Sequence, residues 1–128
     1  MKTKTKKLIT TLGLILVTVL LFTFIDFLFH SLSEEYSVPN WYFRNKIIFE
    51  TMYICLAYLL FKKFNPALSS FLTALVTSTL LQARYYFLGF NLEFVILFWG
   101  IHALILWPLL WLLFQYQEKI IRKVANLF

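Results

Sequence analysis

Long apolar stretches alternate with short polar ones along the chain, and each apolar stretch has the length of a bilayer-spanning helix. The first follows Lys2, Lys4, Lys6 and Lys7 and runs from Leu8 to Phe29. A basic start before a hydrophobic core resembles a signal peptide. The run is too long for one, however, and ends in Asp26 and His30 with no small-residue cleavage site, which predicts a retained helix over about 8–30. Ser31 to Asn40 reads as a loop, with Glu34, Glu35 and the turn-forming Val38-Pro39-Asn40. Trp41, Tyr42 and Phe43 then form an interfacial aromatic belt.

The second helix is expected over 42–61, with Arg44 and Lys46 snorkelling outward at its start and Lys62-Lys63 ending it. Asn65-Pro66 reads as an N-cap followed by proline in the first turn of a third helix, 66–90. Asn91 caps a fourth helix, 92–116, with Glu93 in its first turn and Pro108 as a kink site. In the tail, 117–128, Ile120, Ile121, Val124, Leu127 and Phe128 oppose Lys119, Arg122 and Lys123. This pattern predicts a basic amphipathic helix lying on an anionic membrane face, the alternative being a frayed end of helix four.

The expected fold is therefore all-α: a polytopic membrane protein, one domain over 1–128, folded as a four-transmembrane-helix bundle. Of the 12 Lys and Arg residues, nine fall at the N-terminus, in the second loop or in the tail. The positive-inside rule places those segments, and hence both termini, in the cytoplasm. The plasma membrane is the expected location.

Composition supports a membrane class. With 61% hydrophobic and 14% charged residues, a chain of 128 residues cannot hide its apolar surface inside a soluble globule. The net charge of +6 is concentrated at helix ends, a membrane topology signal that excludes a nucleic-acid footprint. The single cysteine, Cys55, excludes an internal disulfide and a cysteine-built metal site. Three glycines leave close helix packing to Ala, Ser and Thr.

Candidate chemistry follows from the cost of intramembrane charge, roughly 2.5–3.5 kcal/mol at the bilayer centre. Asp26, His30, Glu50, Arg84, Glu93 and His102 need partners or purposes, with Gln82 as a neutral companion. At about 1.5 Å per residue, Asp26, Glu50 and Arg84 can share a level in the outer half, with His30 nearer the surface and His102 near the midplane. Asp26 and His30 share a helix face, as do Ser70, Thr73, Thr77 and Arg84, a polar stripe expected to face the interior. Glu93 and His102 lie on opposite faces, which leaves Glu93 to helix capping.

The plain reading of Asp26, Glu50 and Arg84 is an ion-paired staple. The sharper reading is a binding or proton-relay site opening outward and including His30. Two carboxylates facing one arginine leave a negative charge for a proton, a protonated His30 or a cation to balance. His102 reads first as a hydrogen-bonded bundle histidine. Metal ligation by Asp26, His30, Glu50 and His102 lacks a diagnostic motif, and the depth gap between the histidines argues against one site. No metal and no particular cofactor is indicated. No nucleophile motif or phosphate loop is present, and the aromatics read mainly as packing and belt residues. In size and helix count the chain resembles the small multidrug exporters, the fluoride channels and the lipid-linked sugar flippase-like proteins, and Asp26 resembles the first-helix acid of the exporters; the glycine-rich helices of the exporters and fluoride channels are missing, and no specific family is indicated.

The leading expectation is a transport or binding protein whose cluster of Asp26, His30, Glu50 and Arg84 engages a cation, a proton or a polar head group. Gln82 and His102 are secondary candidates. The alternatives are a membrane enzyme acting on a lipid-linked substrate and a structural or assembly subunit. The lipid bilayer is the expected partner, with a homo-oligomer or larger membrane complex left open and no nucleic acid.

Overall fold

A computed structural model describes residues 2–127. Met1 and Phe128, the two ends of the expected domain, lie outside them. The chain forms α1 (Lys2–His30), a short 3-10 turn (Glu34–Tyr36), α2 (Asn40–Phe61), α3 (Pro66–Phe87) and α4 (Leu92–Leu127). Successive helices run antiparallel, and the packing is a ring: α1 and α3 each lie against both α2 and α4. Both termini and the α2–α3 turn therefore share one end, the basic end. The 3-10 turn and the α3–α4 connection share the other.

Local chemistry sets the helix limits. Asn65 Oδ1 accepts from the Leu68 amide at 2.9 Å, with Pro66 opening α3. Asn91 Oδ1 accepts from the Glu93 amide at 2.7 Å at the start of α4. α3 stops at Phe87, short of the expected 90, because Gly89 turns into the left-handed region at φ 101°. The Phe90 amide then bonds back to the Tyr85 carbonyl at 3.1 Å, a glycine-terminated C-cap.

The expected tail helix is not a separate element: α4 continues unbroken through Pro108 to Leu127. Its 36 residues span about 54 Å, well beyond a hydrocarbon core of about 30 Å. Contact with α1 supports the extension, since Lys7 Nζ lies 3.0 Å from Glu118 Oε1. One turn further along α1, Thr11 Oγ1 accepts from the Gln117 side-chain amide at 3.1 Å, and the same amide donates to Tyr58 Oη at 3.0 Å, tying α1, α2 and α4.

The distribution of side chains is that of a membrane protein. Leu and Phe side chains such as Leu20, Phe24, Leu60 and Leu104 stand outside, while Asp26, Lys46, Glu50, Thr73, Thr77 and His102 are buried. Lipid is the solvent that stabilises such an exterior. α1, α3 and α4 are each long and apolar enough to cross a membrane. α2 carries Arg44, Lys46 and Glu50 within its 22 residues and does not meet that description.

Two apolar clusters fill the interior. One, nearer the basic end, gathers Ile15, Val19, Phe22, Ile54, Leu106 and Leu110 around Ala74. The other, toward the loop end, is built on Tyr42, Leu81, Tyr85 and Val95. Asp26, Glu50 and His102 each follow or precede a residue of the first cluster by one helical turn: Phe22, Ile54 and Leu106. The buried ions thus form the next layer up.

Candidate functional site

The centre of the ionic layer is Lys46. Its ammonium lies 3.3 Å from Asp26 Oδ2 and 3.4 Å from Glu50 Oε2, with all three side chains fully buried. The expectation that Lys46 snorkels outward is corrected: Tyr42, Lys46 and Glu50 recur every fourth residue, so α2 turns all three inward. Arg44, half a turn away, is the exposed one. The i, i+4 spacing of Lys46 and Glu50 was the available signal, the same spacing that pairs Asp26 with His30.

Arg84 does not join this pair. It is half-buried on the α2 side of α3, with its guanidinium 4.0 Å from the Phe49 ring. Lys46, nearer the bundle axis, takes the place expected for it. Ser70, Thr73 and Thr77 are buried as the stripe predicts, with Arg84 at its edge. Gln82 is buried too, but neither of its amide atoms hydrogen-bonds to a cluster member. Glu93 is exposed at the start of α4.

Both histidines reach Asp26. His30 Nε2 lies 3.3 Å and His102 Nε2 3.8 Å from the same Oδ2 atom. The depth gap between them is thus bridged: Asp26 stands one turn below His30, at a level His102 reaches from α4. Each ring is oriented by a backbone carbonyl, His30 Nδ1 to Tyr36 O at 2.7 Å and His102 Nδ1 to Phe98 O at 2.7 Å. A carbonyl oxygen only accepts, so both Nδ1 atoms carry hydrogen. In the neutral rings each Nε2 would then direct a lone pair at a carboxylate. Tyr42 Oη lies 3.3 Å from His30 Nε2 and can donate to it. His102 Nε2 has no hydrogen-bond partner.

Charge gives the same answer. Two carboxylates and one ammonium sum to one negative charge when both imidazoles are neutral. A single proton shared among Asp26, Glu50, His30 and His102 removes that imbalance and supplies the hydrogen missing between Nε2 and Oδ2.

Aromatic rings close the site. Phe22 forms its floor, 3.8 Å beneath the Lys46 ammonium and edge-on to His102 at 5.0 Å. Phe98 stacks on His30 at 4.2 Å, and Tyr42 stacks on Tyr85 of α3 at 4.7 Å. Asp26, Lys46, Glu50 and His102 are buried beneath these rings. His30 lines a cleft of about 310 Å³ at the loop end shared with Phe27, Ser33, Glu34 and Ser37. Among the described residues, no group of three His, Cys, Asp or Glu side chains is placed to hold a metal ion. Lys46 already brings its cation between the carboxylates.

No protein-family model, curated protein or solved structure matches the chain.

Proposed function

We propose that this is a membrane protein that binds a proton in its buried cluster and exchanges it with the loop side through His30. The observation that carries the reading is the convergence of two carbonyl-anchored imidazoles on one carboxylate oxygen, an arrangement completed by a proton. A metal or an organic cation would have to displace Lys46, and Asp26 and Glu50 are both fully buried, out of reach of a polar head group in the present arrangement.

The reading takes all four helices as spans with both termini cytoplasmic. α2 crosses because Lys46 and Glu50 are turned into the bundle, paired with each other and with Asp26, so they do not face lipid. The loop side is then the external side, and the His30 cleft opens there. The groups facing the bound proton are Asp26 and His30 from α1, Tyr42, Lys46 and Glu50 from α2, Tyr85 from α3 and His102 from α4.

The test is nitrogen NMR of histidine-labelled protein in lipid bilayers between about pH 4 and 9, the range around the histidine transition. The expected result is hydrogen on both Nδ1 atoms throughout, and a proton on or hydrogen-bonded to Nε2 that responds to external pH and is altered by Asp26→Asn. Two imidazoles with bare Nε2 atoms at every pH would sink the reading.

The closure of the site favours a second reading, a structural clamp joining α1, α2 and α4. A clamp predicts that removing all of its charges together leaves every cellular role of the protein intact. A proton site predicts a stable protein that has lost its function.

A further inference from the structure

The polar seam between α2 and α3 begins beside the cluster and ends at the basic end. Tyr42 stacks on Tyr85, fixing the antiparallel register of the two helices. Counting eight residues from each ring, down α2 and back along α3, reaches Glu50 and Thr77, both about 12 Å below the stacked pair. Counting sixteen reaches Tyr58 and Ser69, and these two line one pocket of about 160 Å³ at the basic end, with Lys62, Gln117 and Glu118. The register therefore holds along the whole interface.

Between those levels, Thr77, Thr73 and Ser70 recur at one-turn spacing on α3, all fully buried. Buried hydroxyls on helices commonly donate to their own backbone. Thr18 and Ser70 do so, to Leu14 and Ala67. Thr73 and Thr77 do not: each hydroxyl is buried with no hydrogen-bond partner, as is that of Thr51 on α2. Buried hydroxyls left unpaired are ordinarily satisfied by internal water. A seam that served packing alone would be satisfied by alanine, or by hydroxyls turned onto their own carbonyls.

We propose that this seam carries a file of water molecules joining Glu50 to the pocket at Ser69, so that the cluster connects to both sides and the protein conducts protons. The inference rests on the proton-binding reading of the cluster. The outer half of the route is the His30 cleft, and the inner half is Thr77, Thr73 and Ser69. Lys46 links the halves: an N–H bond breaks as Nζ gives a proton to Glu50 Oε2, and a new one forms as Nζ takes a proton from Asp26. Lys46 ends as it began, with one proton moved inward. Glu50 then passes its proton to the water at Thr77.

The experiment uses the full chain in liposomes loaded with a pH-sensitive dye and driven by a potassium diffusion potential with valinomycin. Wild type is compared with Thr77→Val and with Thr73→Val/Thr77→Val, which keep the side-chain shape and remove the hydroxyls. The expected result is a proton flux in wild type that falls at least about ten-fold in the double variant, the change that accompanies loss of about one hydrogen bond's stabilisation. Unchanged thermal unfolding would show that the valines leave the fold intact. A wild-type flux that the valines leave untouched overturns the seam as the route. Absence of flux in wild type also overturns it, and histidine signals that still titrate in that case leave the proton-binding reading standing. Should the double variant unfold, Thr77→Val compared with Thr77→Ser, which keeps the hydroxyl, decides the matter: flux lost in the valine and retained in the serine supports the file, and flux equal in the two overturns it.

Discussion

Lys46 of α2 places its ammonium 3.3 Å from Asp26 of α1, and neither side chain is exposed. The pair joins two helices inside a low-dielectric interior, where removing one partner leaves the other uncompensated. Lys46→Met should destabilise the protein by about 3–5 kcal/mol, because both Asp26 and Glu50 lose their cation. Adding Asp26→Asn should restore at least about 1 kcal/mol, the coupling expected of groups in contact. Reversible unfolding in mixed micelles measures the cycle. Strict additivity of the two substitutions would show that the pair does not hold the helices.

Arg84 behaves differently because its partner is a ring. Arg84→Gln should lower stability by only about 0.5–2 kcal/mol, the range for a cation over an aromatic face. Its effect should add to that of Asp26→Asn, since no ion pair joins them. A coupling between these two positions larger than about 0.5 kcal/mol would contradict the placement of Arg84 over Phe49.

Gln117 makes the polar tie at the basic end, donating to Thr11 and Tyr58 on two other helices. Gln117→Leu should destabilise by about 1–2 kcal/mol, with Tyr58→Phe accounting for part of it, as interhelical hydrogen bonds in membranes are individually modest. The same unfolding measurement reads both. A Gln117→Leu effect no larger than that of Tyr58→Phe would mean that Thr11 makes no contribution.

The ease with which these features could be read from sequence differs for physical reasons. Helix existence was plain, because apolar runs, Asn65-Pro66 and Asn91 are local signals, and local signals survive folding. Asp26, His30, Glu50 and His102 stood out because an ion in an apolar run is conspicuous. Lys46 did not, because it lies near a helix start, where a long basic side chain ordinarily reaches the interface. Its inward direction depends on the rotation of α2, set by Tyr42, Ile54 and Ala57 packing against neighbours distant in sequence. The same dependence misplaced Arg84: two cations were available to the carboxylates, and only the assembled bundle decides between them. Tyr42 likewise reads as a belt residue by its position and is buried against His30.

The status of α2 decides the topology, and it can be tested directly. Hydropathy counts Arg44, Lys46 and Glu50 as though each faced lipid. The structure buries the last two against each other and Asp26, leaving Arg44 exposed near the loop end. An α2 that crosses the bilayer puts Ser37 and Lys63 on opposite sides. In a Cys55→Ala background, Ser37→Cys should react with an impermeant thiol reagent added to intact cells, while Lys63→Cys and Asn126→Cys should react only after permeabilisation. Labelling of Ser37→Cys and Lys63→Cys from the same side would leave three crossings and place the termini on opposite sides of the membrane. That result is incompatible with the antiparallel contact of Lys7 and Glu118 at one end of the bundle. It would also remove the external opening at His30 on which proton exchange depends.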